Sequence, residues 1–315
     1  MQFHLNHTPK KLDFEINHSH KIALIGSCFA QNIGELLHEN KFNSLLNPNG
    51  IIFNPKTILD LTQKSISNTN YNKSTLLKHN NLFYSFLHHS YINEISEIGL
   101  EKKINAINHN TFNYLKDADF LILTFGSAFA YYHKQLNIYV ANCHKQHTDL
   151  FEKRLLKLDE LVKDYLQLIY QLQTINPKLK IIFTISPVKY LKDGVEENFI
   201  SKSTLRLAIN EIIHQTKNCF YFAAYELITD DLRDYRFYKE DLAHPNQQAI
   251  DYVWQKFSDT YFSNQTQELN KQLEKLNLAI HHRVLSPDKQ ELIKHQNYIL
   301  KLREDISTKY PYIKL

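Results

Sequence analysis

Four short apolar runs, each parted from the next by longer amphipathic stretches, constrain this chain more than any other feature. They are Lys21–Gly26 (KIALIG), Asp119–Phe125 (DFLILTF), Lys180–Ser186 (KIIFTIS) and Cys219–Ala224 (CFYFAA). Runs of this length without polar alternation suit strands covered on both faces. Gly26, Gly126 and Pro187 end the first three, and such residues punctuate strands. Between them, Phe151–Gln173 carries Leu155, Leu158, Leu161, Val162, Tyr165, Leu168, Ile169 and Leu172, mostly at helical steps. That spacing makes one apolar stripe. Ala30–Glu39 is helical by the same spacing, at Ile33, Leu36 and Leu37. Ser201–His214 and Pro245–Phe262 follow a similar pattern, with Pro245 at a favoured first helical position. Strands alternating with helices predict an α/β fold, a three-layer doubly wound parallel sheet. In such sheets ligands bind beyond the carboxyl ends of the strands.

Two regions fit that alternation less well. Leu61–Lys116 is polar and rich in Asn and Ser, and reads as an insertion holding a few helices or a hairpin. From Asn264 the chain turns Gln-, Glu-, Lys- and Leu-rich, with helices expected over Glu268–Leu278 and Pro287–Ile306 and Ser286 as an N-cap. The expected organisation is therefore a catalytic domain over residues 1–262, with its insertion at about 61–116, followed by a C-terminal helical hairpin over 263–315.

Composition bounds the function. A chain of 315 residues can bury a full core, and 43% hydrophobic with 22% charged residues is ordinary for a globular protein. The net charge of +4, spread over scattered lysines, does not make a nucleic-acid footprint. No stretch approaches the roughly 18 apolar residues of a membrane span. Met1–Lys11 lacks the apolar core of an export signal. Cys28, Cys143 and Cys219 are odd in number and far apart, so no disulfide framework is suggested. The cytoplasm is the expected compartment, and the oligomeric state is left open.

Chemistry concentrates at two places. Gly26-Ser27-Cys28-Phe29-Ala30 lies where the first strand turns into a helix, so the Ser27 hydroxyl faces the cleft beside the first helical N–H groups. Such groups stabilise an anion, which suits an acyl-transfer nucleophile; a plain helix N-cap is the competing reading. Asp241-Leu242-Ala243-His244-Pro245 puts a carboxylate and an imidazole on one short loop. The acid can hold one ring nitrogen while the other faces a serine; the competing reading is a surface turn with a capping Asp. Serine after the first strand and D-x-x-H before the last sheet-packing helix seldom coincide by accident.

Weaker candidates surround these. Cys28 could be a thiol nucleophile, but adjacent turn residues point apart, and it reads as a buried structural cysteine. His88, His89, His133 and His144 could bind a metal, yet no carboxylate or cysteine cluster has zinc-like spacing, so no metal or organic cofactor is expected. His88 and His89 read instead as lining an acyl or alcohol pocket. Arg233 or Arg236 could bind an anionic group, against an internal ion pair with Asp231 or Asp234. Tyr84, Tyr131 and Tyr132 could stack on a sugar, although core packing is the commoner use.

The segment GSCFA at Gly26–Ala30 resembles the signature of the GSCFA-domain family. The resemblance continues through Asn47–Pro55, His88-His89-Ser90, Gly126-Ser127-Ala128, Asn142–Lys145, Ser186-Pro187-Val188, Asp231–Tyr238 and Asp241–Pro245. It spans roughly Lys21–Phe262. That family resembles the broader SGNH/GDSL hydrolases, which implies a flavodoxin-like sheet, acyl-ester chemistry, and Ser27, Asp241 and His244 as a triad. The resemblance also implies an oxyanion hole built from the Ser27 N–H, a glycine and an asparagine. Gly50 can supply the second donor. Ala128 stands where the asparagine is expected, so Asn142, the Ser127 hydroxyl or a backbone N–H must replace it. Gly126, Ser127, His144 and Arg236 complete the expected substrate-binding set. The expected function is ester hydrolysis or O-acyl transfer on a short acyl group, acetyl first, with a small-molecule or carbohydrate ester as substrate. The alternatives are a non-catalytic binding or scaffold protein and a metal-dependent phosphodiesterase.

Overall fold

A computed structural model of the chain describes residues 6–67, 71, 73–283 and 289–315. Its centre is a five-stranded sheet built from β1 (Lys21–Gly26), β2 (Asn43–Leu46), β3 (Phe120–Phe125), β4 (Lys180–Ile185) and β5 (Cys219–Phe222). Every pairing is parallel, and the spatial order is β2-β1-β3-β4-β5. This is the flavodoxin-like doubly wound order. The winding reverses between β1 and β3, whose register sets Gly26 opposite Thr124. The carboxyl end of β1 therefore lies at the switch point.

The apolar runs alternate between two cores. Ala23, Ile25, Leu121, Leu123, Phe125, Ile181, Phe183 and Ile185 face one helical layer. It comprises α2 (Pro55–Ile66), α3 (Glu97–Asp117), α4 (Leu158–Ile175) and α5 (Val195–His214). Ile22, Leu24, Phe120, Ile122 and Ile182 face the other layer, α1 (Cys28–Glu39) and α6 (Gln247–Tyr261). A strand packed on both faces has no polar position to spare, which is why these segments read as continuous apolar runs. Burying each large aliphatic side chain contributes roughly 1.5–3 kcal/mol.

Several local expectations are corrected. β2 is an additional edge strand, whose NSLL sequence has no unbroken apolar run to announce it. Phe151–Leu155 is a strand, not the start of α4. It joins Phe129–His133 and Ile138–Val140 in an antiparallel sheet, with Phe151 alone of its five residues buried. Pro245 is not the first helical residue: Asn246 caps α6, its side chain accepting from the Ala249 N–H. Within the stretch expected as an insertion, Leu61, Ile66 and Leu115 belong to the main core. A three-stranded antiparallel sheet (Leu76–His79, Leu82–Ser85, Asn93–Glu94) stands aside from it and packs with Tyr71, Ile92 and, from α3, Leu100 and Ile104 in a separate cluster. After α6 come α7 (Asn264–His281) and α8 (Lys289–Lys309), the C-terminal helices. Leu269, Leu273 and Leu276 close a separate cluster with Ile306, Tyr310 and Ile313. The expected cap at Ser286 lies outside the described residues. Among the described residues no helix is long and apolar enough to cross a membrane.

Candidate active site

At the end of β1 the backbone turns sharply. Gly26 sits at φ +154°, and a Cβ there would lie 2.2 Å from the Thr124 carbonyl oxygen, so only glycine fits. Its N–H donates to Asn47 Oδ1 at 2.9 Å, and its carbonyl accepts from Ile52 N at 2.9 Å. Ser27 then caps α1, its Oγ accepting from Phe29 N at 3.3 Å. The side chain is 3% exposed. Capping uses the oxygen as an acceptor and leaves the hydroxyl proton available to a base, so the N-cap and nucleophile readings are compatible. The same loop reaches β3, where Phe53 O accepts from Gly126 N at 2.7 Å and Ser127 N at 3.1 Å.

The D-x-x-H loop is held by its own acid. Asp241 Oδ1 accepts from the N–H groups of Ala243 and His244, both at 2.9 Å, and Oδ2 lies 2.6 Å from His244 Nδ1. The His244 amide, then the Ala243 amide and the imidazole, pull the Asp241 carboxyl down to about 2. A charged Asp241 fixes the tautomer with Nδ1–H donating and Nε2 left as the base. The loop is anchored by Lys239 N donating to His244 O at 2.7 Å and Lys189 N donating to Ala243 O at 2.9 Å. Lys189 follows β4, so the loop is tied to the carboxyl edge of the same sheet that carries Ser27. The imidazole is 48% exposed, and no hydrogen bond joins it to Ser27 Oγ in this structure.

Other expected residues serve the fold. The Ser27 amide donates to Thr124 O at 3.2 Å, and the Gly50 amide closes a turn onto Asn47 O at 2.8 Å. Neither expected oxyanion donor is therefore free. Ala128 N is bound to Ser201 Oγ at 2.8 Å. Asn142 turns its Oδ1 to the His144 amide at 2.8 Å. The Ser127 hydroxyl is buried, accepting from Phe129 N at 3.0 Å and bonded to Ser201 Oγ at 3.2 Å, so it cannot substitute as expected. Gly126 contributes its backbone to the loop clamp.

His88 is 0% exposed, with Nδ1 on Ser85 Oγ at 2.8 Å, so it lines no cleft. Burial first, then the nearby charges of Lys64 and His144, push it down to about 3. His144 is likewise buried, its Nε2 bonded to Ser85 O at 2.8 Å. Both correct the expectation of substrate contact. His89 is half-buried beside Gly50, where a Cβ would meet the His89 Cβ at 2.2 Å. Arg236 is paired with Asp234 at 3.1 Å, but both side chains are exposed, so the pair lies at the surface and is not the internal one expected. Tyr132 lies under the Arg154 guanidinium, 3.6 Å from its centroid. Burial raises the Cys28 thiol, which disfavours a thiolate. Among the described residues no group of three or more His, Cys, Asp or Glu is gathered to hold a metal.

One residue escaped the sequence reading. Lys202, on α5, is 3% exposed, and its Nζ donates to Gly126 O at 2.6 Å and Ser186 O at 2.7 Å. Its signal was its register: Lys202, Leu205, Ile209 and Ile212 share the buried face of α5. A lysine on an apolar stripe is costly to bury unless its donors are satisfied.

Similar solved structures include a family 3 carbohydrate esterase of Clostridium thermocellum, 11% identical, covering 81% of this chain and 98% of that one at a TM-score of 0.35. A family 3 carbohydrate esterase from Talaromyces cellulolyticus is 10% identical over 80% and 98%, at 0.36. An acetyl xylan esterase from the rumen bacterium Butyrivibrio proteoclasticus is 12% identical over 77% and 63%, at 0.39. At such scores the likeness carries nothing about chemistry. No curated protein sequence matches the chain. The sequence model of the GSCFA family, by contrast, matches residues 21–257, a span that holds β1 through β5, Ser27 and the D-x-x-H loop, and the chain belongs to the GSCFA family.

Proposed function

We propose that this protein is a serine-dependent ester hydrolase or O-acyltransferase, with Ser27 as nucleophile, His244 as general base and Asp241 orienting the imidazole. The observation that carries this reading is the Asp241–His244 pair at 2.6 Å, on a loop hydrogen-bonded to the segment after β4. It is matched on the same sheet edge by a buried hydroxyl whose proton is uncommitted.

His244 Nε2 takes the Ser27 proton as Oγ bonds to the acyl carbon, and the carbonyl π pair moves onto oxygen. Collapse of that oxyanion expels the alcohol, which leaves with the proton from His244. Water or a second alcohol, deprotonated by His244, then attacks the acyl-serine, and Ser27 Oγ recovers its proton. The oxyanion falls at the N-terminus of α1, where the amides of Cys28 and Ala30 have no backbone acceptor among the described residues. Bringing the imidazole within hydrogen-bond distance of Oγ belongs to the substrate complex, as catalytic bonds often tighten only there. The short acyl group, acetyl first, and a carbohydrate alcohol rest on the superfamily resemblance alone.

A fluorophosphonate probe tests the reading. It should label the folded protein at Ser27, and Ser27→Ala should abolish labelling. The committed Ser27 and Gly50 amides favour the second reading, a non-catalytic binding protein. A folded wild-type chain that stays unlabelled would establish it over the first.

A further inference from the structure

The two halves of the sheet edge meet at the ends of β3 and β4, where Ser186 N donates to Phe125 O at 2.8 Å, and one side chain reaches past that last rung to touch the support of both. Lys202 Nζ donates to Gly126 O, at the end of β3, and to Ser186 O, at the end of β4. From Gly126 the path runs through its own N–H to Phe53 O, and along the loop to Ile52 N, which donates to the Gly26 carbonyl beside Ser27. From Ser186 it runs two peptides on to Lys189, whose N–H holds Ala243 O beside His244. The Lys202 amine thus adds a side-chain tie between the nucleophile's support and the base's support. No carboxylate pairs with it: among the described residues its polar contacts are these two carbonyls.

We propose that Lys202 is a positioning residue of the reaction centre, tying the segments that leave β3 and β4 just beyond their last ladder bond, so that the Ser27 turn and the His244 loop keep a productive separation. The proposal rests on Ser27 and His244 working as a pair. A backbone carbonyl at a strand end has no further strand to accept from, and a lysine with three donors can satisfy two such carbonyls at once. A hydrophobic residue of the same length would fill the space and leave both carbonyls buried and unpaired. Losing the clamp should let the two segments drift, and a displacement of about 1 Å costs on the order of 10²-fold in rate.

The side chain also borders a surface cavity of about 340 Å³, lined in part by Phe199, Leu207 and Tyr225, which gives a small amine a way in. In Lys202→Met, the rate of fluorophosphonate labelling at Ser27 should fall about 10²-fold. Hydrogen exchange should show the amides of Gly126 and Lys189 losing protection together. In Lys202→Ala, ethylammonium should restore labelling in a saturable way, a rescue that a merely space-filling role would not give. Retained protection of both amides in the folded variants overturns the proposal, as does full-rate labelling or an absence of rescue. If the wild type itself is unlabelled, the serine reading fails, while the exchange of the two amides still decides whether Lys202 holds both segments.

Discussion

The two halves of the candidate site are built in opposite ways. The Ser27 turn is buried and over-determined: a glycine that tolerates no Cβ, the Asn47 side chain, and the carbonyl of Thr124 all fix it. The Asp241–His244 loop is half exposed, and much of its shape comes from one carboxylate that accepts three hydrogen bonds. A nucleophile gains from rigidity because attack needs a defined trajectory. A base that first takes and then returns a proton gains from being oriented while still able to shift. The difference teaches that preorganisation here is divided: placement belongs to the strand end, and tautomer and aim belong to the loop.

The largest effects should fall on chemistry. Ser27→Ala and His244→Ala should each lower turnover of a p-nitrophenyl acetate probe by about 10³-fold or more, with little change in melting temperature. Comparable turnover in Ser27→Ala would place the nucleophile elsewhere and dissolve the comparison. Asp241→Asn should cost less than either. It should also release the His244 and Ala243 amides, which lose a charged acceptor, as hydrogen exchange would record.

Gly26→Ala separates the halves by stability. A methyl 2.2 Å from the Thr124 oxygen, on a backbone at φ +154°, forces the β1 end to move. Urea unfolding should show a loss of roughly 3 kcal/mol or more. Leu242→Gly, at the loop's own left-handed position (φ 54°), should instead leave stability within about 1 kcal/mol or raise it. Equal losses at the two positions would mean that the loop is as constrained as the turn.

The same contrast decides what could be read in the sequence. β1, β3 and β4 are legible because strands buried on both faces write an unbroken apolar run, β5 because its edge position still carries the apolar CFYF, and Ser27 because it follows such a run. Asp241 and His244 were legible because their pairing is local, three residues apart. Partners fixed by tertiary contact were not. Gly50 looks available as a donor in the sequence, but the carbonyl of Asn47 occupies its amide, and the Ser127 hydroxyl is sealed against Ser201. His88 looked like a pocket residue, since a histidine pair carries no sign that one member will be sealed beside Ser85. Phe151–Leu155 was absorbed into a helix because Leu155 and Leu158 happen to be spaced like a helical stripe, although Phe151–Leu155 pairs along Phe129–His133. Lys202 passed unnoticed because a lysine on an apolar face is ordinarily a snorkelling surface residue.

The smallest effect should be the most discriminating. Both halves tether backbone amides to a side-chain oxygen, Gly26 N to Asn47 Oδ1 and the Ala243 and His244 amides to Asp241 Oδ1. Only the second acceptor titrates. The Asp241 carboxyl is lowered from 3.8 to about 2 by the His244 amide first, then the Ala243 amide and the imidazole. A lowered carboxylate contributes stability that is fully present above its unfolded value and is lost as pH falls through its folded value. The loop should therefore hold its shape above about pH 4 and loosen toward pH 2, while the Ser27 turn, tied by a neutral carboxamide, does not respond over that window. Because Asp241 is exposed, the change in global stability should be slight, and the measurement has to be local. Amide exchange at Ala243 and His244, corrected for the intrinsic pH dependence, should accelerate across that range while Gly26 stays protected. If the three amides lose protection in step, the loop and the turn open as one unit, and the base is no freer than the nucleophile it serves.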